Sequence, residues 1–315
     1  MIRRIGTVAL ILACMVLSCW NTAAAAGRQQ VKVQTPAVFS ALPLFWMDDQ
    51  GLLDVDLDIQ ISPDHLRGIA LIAQNDIDLL VTGVSVGAKA YNKGIGLQLV
   101  NTNVWGIDYL LANFPVNSWA DLRGKTLSVP LQGGPVDFLA RCFLVGHGVD
   151  PNDVTFVYLA SNNAAVAFQL GQIDAVILPE PLVTVTLRNC QEAEIAFDLQ
   201  DEWAKLNDGE YRIPYVGLFA GASFANEHPE LVKRINQLYQ EGIDWIKANP
   251  GEAAGIAEKY LGQQAAVVEE ALERVDLNLY PDDAGLLIKQ YFEAILGLYP
   301  EMIGGRLPDA EFYFH

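Results

Sequence analysis

The sequence predicts an α/β protein of two lobes, each a mixed sheet flanked by helices, joined by a hinge of two strands. Two observations predict it. Short apolar strands alternate with segments of helical spacing along most of the chain. A phrase that begins with Ile-Asp and continues as an apolar run occurs twice, as IDLLVTG at 77–83 and as IDAVILPEP at 173–181. Repetition of one phrase in one context indicates two lobes of a common plan.

The first lobe is predicted from residues 27–112. Its elements follow in chain order: a strand in VKVQTPAV (31–38), a helix in 39–53 that ends at Gly51, an alternating strand at 54–62, a helix at 65–76, the strand of IDLLVTG, a helix from Ser85 and a strand at 97–105. DYLLANF (108–114) continues as an extended apolar run.

The second lobe is predicted from residues 113–216 and repeats this order. A turn and a strand fill 119–130, a Gly-rich loop feeds a helix at 131–148, and a strand follows at 154–159. A helix at 162–172 then leads into the strand of IDAVILPEP. The matching order of strand, loop, helix, strand, helix and Ile-Asp strand explains why the phrase is repeated.

The remaining residues, 217–315, are predicted to be mainly helical and to complete the first lobe. YRIPYVGLFAGAS (211–223) is an extended run, and a long helix at 226–250 begins at Asn226 and ends at Asn249-Pro250. Helices near 251–260, 265–275 and 282–298 follow. Because these helices have no strands of their own, they must pack on an existing lobe. The chain therefore leaves the first lobe near 113 and returns near 216, and these two extended crossovers make the hinge.

The N-terminus predicts export. Residues 1–26 have a basic start (MIRR), an uncharged apolar run and small residues before a cut after Ala26. VLSC is a competing lipoprotein box that would leave a lipid anchor at Cys19. Either route places the mature chain in the periplasm or on the extracellular face of the cytoplasmic membrane. The net charge of −18 opposes binding to nucleic acid and to anionic lipid.

The cysteines predict neither a metal site nor a cofactor. Cys14 and Cys19 lie in the predicted signal, so Cys142 and Cys190 remain in the mature chain. Two thiols without nearby histidines cannot complete a tetrahedral metal site. In an oxidising compartment they form either a disulfide or two buried free thiols, and the sequence leaves both open.

Several segments together resemble a known family: the signal, the two-lobed plan, LRGKTLSVP, LASNNAAVAFQLGQIDAVILPEP and the helical tail. The chain is similar to the substrate-binding proteins of ABC importers, in the nitrate, taurine, alkanesulfonate and thiamine-precursor group (NitT/TauT-like). The resemblance covers essentially all of residues 28–315. It implies the type II periplasmic binding protein fold, a monomer, a small molecule trapped between the lobes, and permease and ATPase subunits as partners.

The candidate ligand-binding residues follow the carboxyl ends of strands, where open α/β sheets bind ligands. They are Phe39, Ser40, Thr82, Ser85, Trp105, Asp108, Gln132, Gly133, Gly134, Asp137, Asn162, Asn163 and Glu180. Each has a structural alternative. Ser40, Ser85, Asp137 and one of the two asparagines are candidate helix caps. Gly133-Gly134 is a candidate tight turn. A strand-end tryptophan often belongs to the core, and Glu180, between two prolines, is also suited to holding its loop.

The ligand class stays open between two alternatives. Free backbone N–H groups at helix starts favour an oxyanion such as a sulfonate. Trp105, Glu180 and the scarcity of basic residues near the predicted cleft favour a neutral or N–H-bearing heterocycle such as a pyrimidine. Arg141 is the nearest cation, and its spacing from Asp137 allows the two to pair.

Enzymatic alternatives have weaker support. GVSVG (83–87) matches the Gly-x-Ser-x-Gly nucleophile elbow of hydrolases, with Ser85 as the nucleophile, Glu180 or Asp198 as the acid and His228 as the base. His228 begins a long amphipathic helix, however, and no oxyanion motif precedes Ser85. Some relatives build a pyrimidine with a Cys-rich cluster, which this chain lacks. The sequence therefore predicts a binding protein without catalytic activity.

Overall fold

A computed structural model describes residues 28–315. The predicted signal segment 1–26, its cleavage after Ala26 and the alternative anchor at Cys19 lie outside the described residues. Within 28–315, none of the helices is both long and apolar enough to cross a bilayer. No cluster of three or more metal-binding side chains occurs in the same range.

The first sheet has six strands in the order β11-β4-β10-β3-β1-β2. Its strands are β1 (Gln30–Thr35), β2 (Asp56–Ile61), β3 (Leu79–Gly83), β4 (Leu97–Gly106), β10 (Val216–Gly221) and β11 (Asp276–Leu277). β1 runs parallel to β2 and β3, whereas β10 runs antiparallel to β3 and β4. The sheet is therefore mixed, as the sequence predicts.

The second sheet has five strands in the order β7-β6-β8-β5-β9. They are β5 (Asp108–Ala112), β6 (Thr126–Val129), β7 (Thr155–Tyr158), β8 (Ala175–Pro179) and β9 (Glu194–Asp198). β6 runs parallel to β7 and β8, and β5 runs antiparallel to β8 and β9. Two mixed sheets in one chain confirm the predicted fold class.

Helices cover both sheets. Before β10 they are α1 (Leu42–Asp49), α2 (His65–Ala73), α3 (Val84–Asn92), α4 (Pro135–Gly146), α5 (Ser161–Gln169), α6 (Leu182–Asn189) and α7 (Leu199–Leu206). The C-terminal part adds α8 (Ala222–Glu227), α9 (Pro229–Ala248), α10 (Pro250–Leu261), α11 (Ala265–Leu272) and α12 (Ala284–Leu298).

Three details differ from the sequence prediction. Residues 108–112 pair with β8 and β9, so this part of the predicted first lobe belongs to the second sheet, and the first crossover lies at Ile107. The predicted helix at 226–250 is two helices, because Pro229 disfavours helical dihedrals at the preceding residue, His228. The segment 182–210, left without elements by the sequence, contains α6, β9 and α7.

The aspartate of the repeated Ile-Asp phrase makes equivalent hydrogen bonds in both lobes. Asp78 accepts a hydrogen bond from the backbone N–H of Lys32 at 2.8 Å, and Asp174 accepts one from Thr126 at 2.8 Å. The N–H groups of the two aspartates donate back to the carbonyls of the same residues. Each aspartate thus ties the start of its own strand to the neighbouring parallel strand, at Lys32 within β1 and at Thr126 at the start of β6.

We expect Asp78→Ala to lower the free energy of unfolding by about 1–2 kcal/mol, since the backbone donor of Lys32 loses a charged acceptor. Asp174→Ala should do the same in the second lobe. Asp76→Ala, in the same turn as Asp78, is the control, because Asp76 is exposed and no side-chain hydrogen bond involves it within 28–315. Urea unfolding compares the three, and an equal loss for Asp76→Ala would contradict this role.

The core joins the two lobes at one flank. Tyr291 of α12 meets Phe138 of α4 edge-on at 6.0 Å and Trp203 of α7 at 5.8 Å. The helical tail therefore packs on the first lobe and also reaches the second. Cys142 and Cys190 are free thiols, which excludes the disulfide, and burial raises the pKa of Cys142 to about 11.

Candidate ligand-binding site

A cleft of about 860 Å³ lies between the two lobes. The first lobe contributes residues 36–38 after β1, Pro63 and His65 after β2, and residues 261–264 between α10 and α11. The second lobe contributes residues 130–131 after β6, 160–162 at the start of α5, and 179–182 at the end of β8. The parallel strands of both sheets therefore point their carboxyl ends at one space, as the sequence predicts.

Two helices begin at this cleft without a side-chain cap. α5 starts at Ser161 in the second lobe and α11 starts at Ala265 in the first. The first N–H groups of a helix have no partner within the helix and carry a partial positive charge. The cleft thus offers hydrogen-bond donors to a ligand from both lobes.

The cations near the cleft are committed to carboxylates. Arg188 of α6 lines the cleft and pairs with Glu270 of α11 at 2.7 Å. Arg141 pairs with Asp137 at 2.9 Å and donates to the hydroxyl of Tyr158. The predicted pairing of Arg141 with Asp137 is confirmed.

His65 borders the cleft and was not predicted. Its Nδ1 lies 2.9 Å from the hydroxyl of Thr82, and burial lowers its pKa despite the opposing charge of Asp64. At neutral pH it is therefore an uncharged imidazole.

Of the thirteen predicted residues, Asn162 and Glu180 line the cleft. Asn163 is exposed beside Asn162 but does not border the space. At the start of α4, Leu131 rather than Gln132, Gly133 or Gly134 reaches it. Gly133 has φ +68°, and its N–H donates to Asp137 at 2.8 Å. Gly133 and Gly134 therefore form a tight turn, which is the alternative to a ligand contact that the sequence offers for them.

Four predicted residues are corrected, because they belong to the interior of the first lobe. Phe39 is fully buried. Ser40 donates to Asn103 at 2.6 Å and also contacts Tyr239. Trp105 donates to the carbonyl of Asn278 at 2.9 Å and packs edge-on against Tyr280. Thr82 is fully buried and reaches the cleft only through His65.

Glu180 borders the cleft, but its carboxylate is committed elsewhere. The side chain is 0% exposed and accepts from Arg274 Nε at 2.6 Å and from the hydroxyl of Thr184 at 3.0 Å. Arg274 follows α11 in the first lobe, so this ion pair bridges the lobes. The alternative that Glu180 holds its loop fits this arrangement, and the role of ligand acceptor is corrected.

Asp108 differs from the other predicted acids. It follows the first crossover, is only 4% exposed, and its carboxylate takes part in no hydrogen bond within residues 28–315. Burial raises its pKa to about 7.

Sequence reasoning missed the contribution of residues 261–264 and of Arg188. Gly262, in the left-handed region at φ +67°, ends α10 and turns the chain into the cleft. The Leu-Gly pair at this point signals a helix end. The Leu-Gly pair does not indicate on which face of the molecule this turn lies.

The hydrolase alternative finds no matching geometry. Ser85 is 3% exposed at the start of α3, and no histidine lies within hydrogen-bond distance of its hydroxyl in the described chain. His228 instead contacts Gln29 at 3.4 Å, in a surface depression with Asp78 at the opposite ends of the strands. A catalytic triad through these residues is therefore excluded.

The comparisons with known proteins agree on family and fold. The family model described as NMT1/THI5 like matches residues 45–253. A Brucella abortus (strain 2308) protein with the provisional name of binding protein is 28% identical over 162 residues, which is 51% of this chain and 49% of that protein. This match thus spans about half the length of the relative.

Two longer matches cover most of the chain. A Bacillus subtilis (strain 168) protein with the provisional name of aliphatic sulfonates-binding protein is 25% identical over 242 residues, 73% of this chain and 68% of that protein. The crystal structure of the periplasmic aliphatic sulphonate binding protein SsuA from Escherichia coli aligns with a TM-score of 0.76 and 17% identity, covering 91% of this chain and 97% of that one.

The fold is the one seen in the Escherichia coli sulphonate binding protein and in the crystal structure of an ABC transporter from Parabacteroides distasonis, which aligns with a TM-score of 0.76 and 19% identity. The family model spans about two thirds of the sequence, and its matched residues contain both crossovers and the whole second sheet. The chain belongs to the NMT1/THI5-like family.

Proposed function

We propose that this chain is an extracytoplasmic solute-binding protein that captures a small molecule between its lobes and delivers it to the permease and ATPase of an ABC importer. The observation that carries the proposal is the cleft of about 860 Å³, which receives strand ends and helix starts from both lobes. Its volume falls within the range typical of small-molecule sites. The names of the Bacillus subtilis and Escherichia coli relatives support the same role.

The mechanism of ligand capture follows from a binding site that is divided between the two lobes. A ligand that contacts the starts of α5 and α11 at once makes its full set of contacts only when the lobes are shut. Such a ligand favours the closed state by its differential affinity for it. The two crossovers, at Ile107 and at 207–215, are the segments about which the lobes turn.

The lining of the cleft favours a small organic ligand with an acceptor group. Apolar side chains cover much of the wall, namely Val38, Leu131, Leu182, Val185 and Val267. The uncapped starts of α5 and α11 suit a sulfonate or a heterocyclic acceptor. Because Arg188 is paired with Glu270 and His65 is uncharged, a highly charged phosphate is disfavoured.

A thermal-shift screen of residues 27–315 tests this proposal. The panel holds nitrate, taurine, alkanesulfonates, pyrimidines, thiamine and riboflavin precursors, and simple esters. A ligand at about 100 times its dissociation constant adds roughly 2.7 kcal/mol and should raise the melting temperature by several degrees. Ester hydrolysis that disappears in Ser85→Ala, without a shift from any transported solute, would overturn the proposal.

A further inference from the structure

Two helices from opposite lobes meet along one wall of the cleft. They are α6 of the second lobe and α11 of the first, and hydrogen bonds connect them at two levels. The side chains that form these bonds are spaced by four residues on each helix, which places them on one face. Both helices also contribute residues to the lining of the cleft, namely Leu182, Val185, Arg188 and Asn189 from α6 and Val267 from α11.

The inner contact between these helices is buried and lies at the first crossover. Arg274, which follows α11, donates through Nε to Glu180 at 2.6 Å and through Nη2 to Thr184 at 2.6 Å. The side chain of Glu180 is fully buried. The N–H of Glu180 donates to the carbonyl of Ile107 at 3.0 Å, and the hydroxyl of Tyr109 donates to the carbonyl of Arg274 at 2.6 Å. A rotation of the lobes about the crossover therefore displaces this contact least.

The outer contact lies one turn further along α6 and one turn back along α11. Arg188 donates through Nη2 to Glu270 at 2.7 Å and to the carbonyl of Ala266 at 2.9 Å. One helical turn moves this contact about 5 Å along the wall from the inner one. Because displacement grows with distance from the axis of a rotation, opening of the lobes separates the outer contact first.

The two contacts differ in how firmly they hold the helices together. Breaking the buried pair leaves the carboxylate of Glu180 inside the protein without its cation, which is strongly unfavourable. Arg188 and Glu270 are each about two fifths exposed, so water can replace the partner of each at little cost. Salt also screens an exposed pair much more than a buried one. The inner contact therefore resists separation, whereas the outer contact can be released.

We propose that Arg188 and Glu270 form a releasable latch between the lobes, and that the contact of Glu180 with Arg274 is the pivot on which the latch opens. The latch is a third, noncovalent connection beside the two crossovers. Its release lets the cleft widen at the outer ends of α6 and α11. The inference rests on the proposed function, because the latch regulates access to the proposed binding cleft.

The equilibrium between joined and separated lobes can be measured without a ligand, by single-molecule fluorescence energy transfer. One dye is attached through Leu66→Cys in the first lobe and the other through Val166→Cys in the second, in a chain that carries Cys142→Ser and Cys190→Ser. Leu66 is 78% exposed and Val166 is 55% exposed. Each lies on a helix that begins at the cleft, so separation of the lobes changes the distance between the dyes.

Arg188→Gln should raise the ratio of separated to joined lobes by up to about fivefold at low salt, the most that an exposed pair contributes. At about 1 M NaCl the difference from the wild type should disappear, because the charges are then screened in both proteins. Arg188→Lys keeps the charge and should restore most of the wild-type ratio. Glu270→Gln should have the effect of Arg188→Gln, and the two together should exceed neither, since both remove the same pair.

Arg234→Gln is the matched control. Arg234 pairs with Glu241 at 3.2 Å within α9, and these two side chains are 44% and 53% exposed. The pair thus resembles the latch in type and exposure but lies within one helix of the first lobe. Arg234→Gln should leave the ratio of separated to joined lobes at the wild-type value.

Three results would overturn the latch. The first is an equal ratio for the wild type and Arg188→Gln at low salt, and the second is an equal effect of Arg234→Gln. The third is an effect of Arg188→Gln that persists at about 1 M NaCl, since packing of the side chain rather than its charge would then hold the helices. Each of these results leaves the proposed function in place, because the thermal-shift screen tests ligand capture separately.

Urea unfolding guards against a folding defect. Because the outer pair is exposed, Arg188→Gln should unfold at nearly the same urea concentration as the wild type. A large loss of stability would show that Arg188 is needed for folding rather than for the contact between the lobes, and it would also overturn the inference. A thermal-shift screen in which no solute binds counts against the proposed function and not against the latch.

Discussion

Replacing Arg274 with alanine is expected to lower the free energy of unfolding by about 3–5 kcal/mol, because the carboxylate of Glu180 then stays buried without its cation. The Glu180 side chain is 0% exposed and Arg274 is 26% exposed. Arg274 also donates to the hydroxyl of Thr184 at 2.6 Å, so the substitution removes two hydrogen bonds from one buried network. Urea unfolding measures the loss.

The same substitution should also loosen the lobes, since Glu180 follows β8 of the second sheet and Arg274 follows α11 of the first lobe. Arg188→Ala is the matched control. Arg188 also bridges the lobes, pairing with Glu270 at 2.7 Å, but the two side chains are 42% and 40% exposed. Exposed pairs contribute at most about 1 kcal/mol. Equal losses for Arg188→Ala and Arg274→Ala would contradict the burial argument.

Local features of the fold were readable from the sequence. The repeated Ile-Asp phrase can be identified from the sequence because the aspartate and the strand that follows it are adjacent in the chain. The strand ends that form the cleft were predicted for the same reason, since each is a short apolar run followed by a breaker. The fold class followed from their order.

The roles of side chains whose hydrogen-bond partners lie far away in the chain could not be predicted from the sequence. Ser40 was a candidate ligand contact, but its partners are Asn103 and Tyr239, the latter 199 positions away. Trp105 finds its acceptor at Asn278, and Glu180 finds its cation at Arg274. Nothing local to these residues distinguishes a core or ion-pair role from a place in the cleft.

The first crossover was misplaced by a few residues for a related reason. The end of β4 (residues 104–106) and most of β5 (residues 109–112) are apolar, and the two strands are separated only by Ile107. The apolar pattern therefore continues across the boundary. Gly106 marks the boundary in the structure, because a Cβ there would collide with the side chain of Gln200 in α7. The need for glycine at this position can be explained only once the position of Gln200 in the second lobe is known.

The central claim is that the cleft between the lobes holds the ligand, and Asn162→Trp tests it with Asn163→Trp as its control. Asn162 and Asn163 are adjacent exposed residues in the first turn of α5, but only Asn162 borders the cleft. An indole at 162 fills space that the ligand needs, whereas an indole at 163 does not enter it. Both variants should unfold like the wild type without ligand, because neither side chain packs in the core.

The deciding measurement is the thermal-shift screen repeated on the wild type and on these two variants with the same solutes. A solute that stabilises the wild type should stabilise Asn163→Trp equally and should lose nearly all of its effect on Asn162→Trp. A solute that stabilises all three proteins to the same extent binds elsewhere on the molecule, and that result would contradict the assignment of the cleft as the ligand-binding site.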